Sequence, residues 1–159
     1  MIPFEARRGA FVCSTDPRRL DLAAVHAFLS RSYWARGISE DVVRRSLENS
    51  LSFGLYEWER QVGFARAISD YATYAYLADV YVLERYRGLG LGLWLIQSVL
   101  SHPALQGLRR LALMTRDAQG LYRKVGFHAT ADPARYMEIV RSYEAEVGDP
   151  ATLSPGSMT

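Results

Sequence analysis

Lysine is almost missing from this chain: of nineteen basic residues, only Lys124 is a lysine. Cysteine occurs once, at Cys13, so no disulfide can form within the chain. No apolar run approaches the ~20 residues needed to span a bilayer, and the N-terminus lacks a charged-then-apolar leader. The net charge is only +2, without a basic block. Arginine without a patch does not argue for nucleic acid. No metal-ligand set is assigned. These absences leave a cytoplasmic protein with no membrane or nucleic-acid partner as the expectation.

What is present is ordinary for a globular chain: 49% hydrophobic and 23% charged residues. A length of 159 residues suggests one domain, taken here as 1–147. Residues 148–159 are small and polar and read as a flexible tail.

Phe11 to Ser14 is β-prone. Asp16-Pro17 reads as the N-cap and first residue of a helix that runs through Arg31. Ser39 followed by Glu40 and Asp41 starts a second helix, to about Asn49. The connector between them carries Tyr33, Trp34 and Arg36. Ser52 to Trp58 and Val62 to Ser69 flank a short turn at Glu59-Arg60 and read as a hairpin. Tyr74 to Leu83 is a third strand, and Leu93 to Ser101 a helix stopped by His102-Pro103. Arg109 to Met114 is a strand. Asp117 can cap a last helix, Ala118 to Val125, which Gly126 ends. Strands are expected from Phe127 onward and again at Tyr136 to Val140. The order implies an α/β fold with helices on the faces of a sheet.

The segment from Arg87 to Leu93 joins a strand to a helix through glycines on alternate positions, 88, 90 and 92. That is phosphate-binding geometry: glycines let an anion approach the backbone, and the first N–H groups of the helix have no internal partner. A P-loop needs a lysine after its last glycine, and none is here. A dinucleotide fingerprint needs a third glycine at Leu93 or Leu95, which also fails. What remains is R-x-x-G-x-G, preferred in the register Arg87-Gly88-Leu89-Gly90-Leu91-Gly92. This resembles the pyrophosphate-binding motif of the GCN5-related N-acetyltransferases (GNAT). A second stretch, Ala118-Gln119-Gly120-Leu121-Tyr122-Arg123-Lys124-Val125-Gly126-Phe127, is similar to that family's A-x-x-L-Y-x-K-x-G-F signature. The resemblance covers roughly residues 11–140.

The resemblance implies the GNAT fold, a mixed and mostly antiparallel sheet flanked by helices. It also implies acetyl-CoA as co-substrate and transfer to an amine by direct attack in a ternary complex. Arg87, Gly88, Leu89, Gly90, Leu91, Gly92 and Leu93 would hold the pyrophosphate. The backbone of Val80, Tyr81 and Val82 would pair with the pantetheine arm and polarise the thioester. Thr115 stands where the family often has a coenzyme-contacting asparagine. Tyr122 matches the general acid.

The base stays open. The resemblance places the family's glutamate or histidine at Tyr76, with Ala78 two residues on. Asp79 is adjacent, but alternation puts it on the other face unless a bulge intervenes. Asp79, or water relaying the proton to bulk or to a backbone carbonyl, are the candidates. Cys13 reads as a buried, inert thiol. Tyr33, Trp34, Arg36, Tyr71, Tyr74 and Tyr76 are the candidate acceptor pocket. They would suit a small-molecule amine with an apolar or aromatic body, or an amino acid whose carboxylate meets Arg36. An acyl-CoA sensor without catalysis is the alternative on the same fold, and RNA binding is a distant third reading. Dimers are common in the family, so a homodimer fits the resemblance.

Overall fold

The structure is a computed structural model that describes residues 2–144. The tail expected at 148–159 lies outside the described residues. Six strands form one sheet in sequence order. They are β1 (Glu5–Arg8), β2 (Phe11–Ser14), β3 (Leu51–Glu57), β4 (Arg60–Ser69), β5 (Tyr74–Val82) and β6 (Arg110–Ala112). β1 to β5 pair antiparallel, with α1 (Leu22–Leu29) and α2 (Glu40–Glu48) inserted between β2 and β3. α3 (Leu91–Ser101) carries the chain over to β6, which runs parallel to β5, and α4 (Gln119–Arg123) follows. This is the expected mixed, mostly antiparallel sheet flanked by helices. Among the described residues no helix is long and apolar enough to cross a membrane.

Each face of the sheet has its own core. Leu95, Ile96 and Val99 of α3 pack on Phe53, Leu55 and Leu77. Val25, Leu29 and Val43 of α1 and α2 pack on Phe64 and Tyr81. Truncating any one of these buried side chains to alanine costs on the order of 2–5 kcal/mol.

Several expectations are corrected. Asp16 caps only a 3-10 turn, Pro17–Arg19; the α-helix begins after Leu20, because Asp21 is a second cap whose carboxylate accepts from the Ala24 N–H at 2.9 Å. The hairpin turn is Trp58-Glu59, since Glu57 already pairs with Arg60. α3 starts at Leu91, two residues early, which places Gly92 inside its first turn. β6 is shorter than expected, Arg110–Ala112. Asp117 does not cap α4; the Thr115 hydroxyl accepts from the Ala118 N–H at 3.0 Å instead. No strand follows β6 among the described residues, so the strands expected from Phe127 and at Tyr136 to Val140 are absent there. β1, with no strong apolar alternation, was not anticipated; β2 holds it by pairing.

Candidate active site

Three structural features converge at the C-terminal end of β5. The first is the glycine turn. Gly88 and Gly90 have φ of +82° and +76°, the left-handed region that side chains strain to enter. Gly90 is the N-cap of α3 and brings no side chain to that helix end. The N–H groups of Leu91, Gly92 and Leu93 therefore receive no capping oxygen from their own cap residue, which suits an anion. A Cβ at Gly92 would meet only Leu121 Cδ2, at 3.8 Å, so that glycine is not required by packing. Arg87 is turned back on the strand, its Nε donating to the Val82 carbonyl at 3.1 Å. Arg8, unforeseen from the sequence, donates to the Gly90 carbonyl at 3.3 Å.

The second feature is an open strand edge. β6 pairs with β5 only from Tyr74 to Tyr76, opposite Arg110 to Ala112. From Leu77 to Val82 that edge of β5 has no strand partner among the described residues. The residues expected to meet the coenzyme through their backbone, Val80, Tyr81 and Val82, lie on this stretch.

The third is a bulge. Arg66 faces Ala78 and Phe64 faces Tyr81, so Asp79 and Val80 together oppose Ala65. Asp79 sits at φ +55°, a conformation aspartate tolerates better than most side chains. Its carboxylate accepts from Arg66 Nε at 2.6 Å and from Trp34 Nε1 at 2.9 Å. The Arg66–Asp79 pair is largely buried. The bulge thus resets the face on which Asp79 stands, and both carboxylate oxygens are engaged.

The α1–α2 connector is held at its root. Ser32 Oγ donates to the Leu29 carbonyl and accepts from the Ala35 N–H, and Ala35 and Ile38 are buried. From this root Tyr33 and Trp34 project, 48% and 40% exposed, so neither is a core residue. Tyr33 meets the β6–α4 connector: its hydroxyl accepts from the Arg116 N–H at 3.3 Å, and the Arg116 guanidinium lies 3.8 Å over its ring. Phe28 stacks on Tyr81 and also approaches Trp34. Phe28, Arg31, Ser32, Tyr33 and Trp34 line a shallow pocket of about 190 Å3.

Tyr122 of α4 is buried, with its ring edge-on to Phe127. Burial pushes its phenol up to about 12, and the neighbouring Tyr33 and Tyr76 phenols add to the rise. Tyr76 is raised too, mainly by burial and then by Tyr74 and Asp79. Tyr33 and Tyr76 are thus near enough to Tyr122 to disfavour its ionisation, and Tyr74 shares a strand face with Tyr76. Tyr71 is separate: it stands exposed in the β4–β5 turn. The bulge lies five residues beyond Tyr74, about 16 Å along the strand. Arg36 is exposed, and no hydrogen bond or ion pair joins it to these tyrosines among the described residues. The Thr115 hydroxyl accepts at the start of α4, leaving its O–H as donor. Cys13 is fully buried in β2 and its thiol is pushed up to about 12 by burial, as an inert thiol should be.

Residues 22–127 match the model of the acetyltransferase (GNAT) family. This chain belongs to the GNAT family. FG08082 of Gibberella zeae, a protein named as an acetyltransferase, is 38% identical, over 74% of this chain and 78% of its own length. A GNAT-family crystal structure from Xanthomonas campestris (xcc2953) is 46% identical and superposes with a TM-score of 0.81, covering 84% of this chain and 94% of that one. A Clostridium acetobutylicum protein crystallised with acetyl-CoA shares the fold, at 15% identity and a TM-score of 0.59, over 76% of this chain and 92% of its own. Within the GNAT pattern, the two signatures lie on the glycine turn and on α4. Arg66 and Arg116 were not legible in either signature, because their partners lie 13 and 83 residues away.

Proposed function

We propose that the chain transfers an acetyl group from acetyl-CoA to a primary amine of a small molecule or amino acid, by direct attack in a ternary complex. The observation that carries this reading is the edge of β5 that β6 leaves unpaired from Leu77 to Val82, leading into the glycine turn and the side-chain-free N-terminus of α3. The side-chain-free N-terminus of α3 fits the coenzyme's pyrophosphate, with the N–H groups of Leu91, Gly92 and Leu93 as donors. When bound, acetyl-CoA supplies the thioester. Val80, Tyr81 and Val82 offer backbone groups to its pantetheine arm. Thr115 offers a hydroxyl.

Tyr122, with its phenol pushed up to about 12, holds its proton throughout the neutral range and donates a hydrogen bond to a departing sulfur. An acceptor ammonium, with an ordinary pKa near ~10.4, must lose a proton before it attacks. Asp79 is committed to Arg66 and Trp34. We therefore give Asp79 the task of holding the bulge and the acceptor loop, and give the proton to water. Tyr33, Trp34, Tyr74 and Tyr76 make an aromatic wall with few polar groups, which suits an acceptor with an apolar or aromatic body and one amine. Arg36 would meet a carboxylate on such an acceptor, and Tyr71 would contact only an acceptor long enough to reach the β4–β5 turn.

Thiol release from acetyl-CoA with a panel of amines tests the reading. Turnover of aromatic or apolar monoamines above polyamines is the expected result. A second reading, an acyl-CoA sensor, draws on the engagement of both Asp79 oxygens; coenzyme binding without turnover of any amine would establish it instead.

A further inference from the structure

Arg116 follows Thr115 in the connector from β6 to α4, and it holds one side chain of the acceptor loop twice. Its backbone N–H donates to the Tyr33 hydroxyl at 3.3 Å. Its guanidinium lies 3.8 Å over the Tyr33 ring. The tip and the face of that phenol are thus fixed by a single residue, 83 positions away in sequence. Tyr33 is half exposed, so these contacts do not serve the core. Nor is Arg116 claimed by a carboxylate: Asp117 Oδ2 stands off at 3.8 Å, and both side chains of that pair are mostly exposed. The connector itself is tied down. Gln119 Nε2 donates to the Thr115 carbonyl at 3.2 Å and to the Arg116 carbonyl at 3.3 Å, and the Thr115 hydroxyl accepts from the Ala118 N–H. The same turn opens α4, which carries Tyr122.

We propose that Arg116 is a positioning residue for the acceptor: by holding Tyr33 at tip and face, it fixes one wall of the acceptor pocket to the connector that carries Thr115 and leads to Tyr122. That role rests on the acetyl-transfer reading, in which this loop faces the acceptor. Tyr33 stands edge-on to Trp34, their ring centroids 5.0 Å apart, and both line the shallow pocket beside Phe28. Trp34 in turn donates to Asp79 at the bulge. Beyond its root the loop therefore has two anchors, Asp79 for Trp34 and Arg116 for Tyr33. Without the guanidinium, Tyr33 keeps only the edge of Trp34 and one hydrogen bond. The wall then gains rotamer freedom that an acceptor must remove on binding. That cost falls on the acceptor and not on the coenzyme, because Tyr33 lies on the α1–α2 connector and not on the glycine turn.

Arg116→Gln removes the cation and leaves the backbone N–H that donates to Tyr33. Hydrogen exchange of the full, ligand-free chain reads the contact without any turnover. The peptide covering residues 31–38 contains the Gly37 and Ile38 amides, bonded to the Ser30 and Ala35 carbonyls. It should exchange severalfold faster in the variant, with peptides of α3 and the sheet unchanged. Steady-state kinetics with the best amine of the thiol-release panel read the role. The acceptor KM should rise on the order of fivefold, while kcat and the acetyl-CoA KM stay within about twofold. Arg116→Lys keeps a cation for the ring and should recover most of the acceptor KM. Equal exchange at 31–38 in wild type and Arg116→Gln overturns the proposal. So does a fall in kcat at an unchanged acceptor KM, which would make Arg116 a support for α4 and Tyr122. A wild type that turns over no amine sinks the acetyl-transfer reading instead, and the exchange comparison alone then decides whether Arg116 holds the loop.

Discussion

Trp34 Nε1 donates to Asp79 at 2.9 Å, joining residues 45 apart in sequence. The acceptor loop is therefore tied to the one residue that breaks the alternation of β5, and that residue is in turn tied to Arg66 at 2.6 Å. Position of the loop, shape of the bulge and charge of Asp79 form one unit.

Trp34→Phe keeps a ring and removes the N–H donor to Asp79. The loop then loses its tie to the bulge, and the acceptor KM should rise on the order of tenfold, about 1.4 kcal/mol. The KM for acetyl-CoA and the melting temperature should barely move, since Trp34 is 40% exposed. A general loss of folded protein would return Trp34 to the core.

Asp79→Asn keeps the shape and removes the charge opposite Arg66. The pair is largely buried, and removing one partner of such a pair typically costs about 3–5 kcal/mol, the amide recovering part of it. Melting temperature should fall, and kcat should fall less than a hundredfold with the acidic limb of the pH–rate profile in place. Loss of that limb at an unchanged melting temperature would make Asp79 the base.

Tyr122→Phe keeps the packing against Phe127 and removes only the hydroxyl. With the proton donor gone, kcat should drop on the order of a hundredfold or more, while acetyl-CoA binding measured by calorimetry stays level. Near-normal kcat under conditions where chemistry limits the rate would leave Tyr122 a packing residue.

Gly92→Val is the cleanest probe of the glycine turn. Its Cβ position meets only Leu121 at 3.8 Å, so the fold should hold, whereas a valine at Gly90 would also strain a backbone at φ +76°. Acetyl-CoA affinity should fall more than tenfold, at least ~1.4 kcal/mol. Unchanged affinity would move the coenzyme off this turn.

His102 supplies a pH signature for stability. Its ring packs near Phe4 and Phe53, its Nδ1 accepts from the Ala104 N–H, and burial lowers its pKa below the ordinary 6.5. The neutral ring is the form that folds. Above about pH 6.5 both states hold it neutral and nothing is lost. As pH falls below that value the unfolded chain takes up a proton that the folded chain resists, and stability declines until the folded ring also protonates. His102→Asn should therefore flatten the wild-type decline in urea midpoint between neutral and mildly acidic pH. An identical slope in both proteins would assign that decline to other groups.

The sequence alone determined features whose causes lie within a few residues. Ser39 caps α2 through its own Val42 N–H. The glycines before α3 mark a turn because their φ values exclude most side chains. The two signatures located the glycine turn and Tyr122, and they carried the family. Tertiary structure decided what depends on register and on distant partners. Strand alternation by itself sets Asp79 facing away from Tyr76; the bulge opposite Ala65 reverses that, and Arg66 and Trp34 reward the reversal with two hydrogen bonds. Arg116 reaches Tyr33 only because the connectors after α1 and after β6 meet at the same end of the sheet. Tyr136 to Val140 has strand composition, yet no strand forms there among the described residues. Local propensity names a candidate strand, but only a partner's backbone groups can make it one.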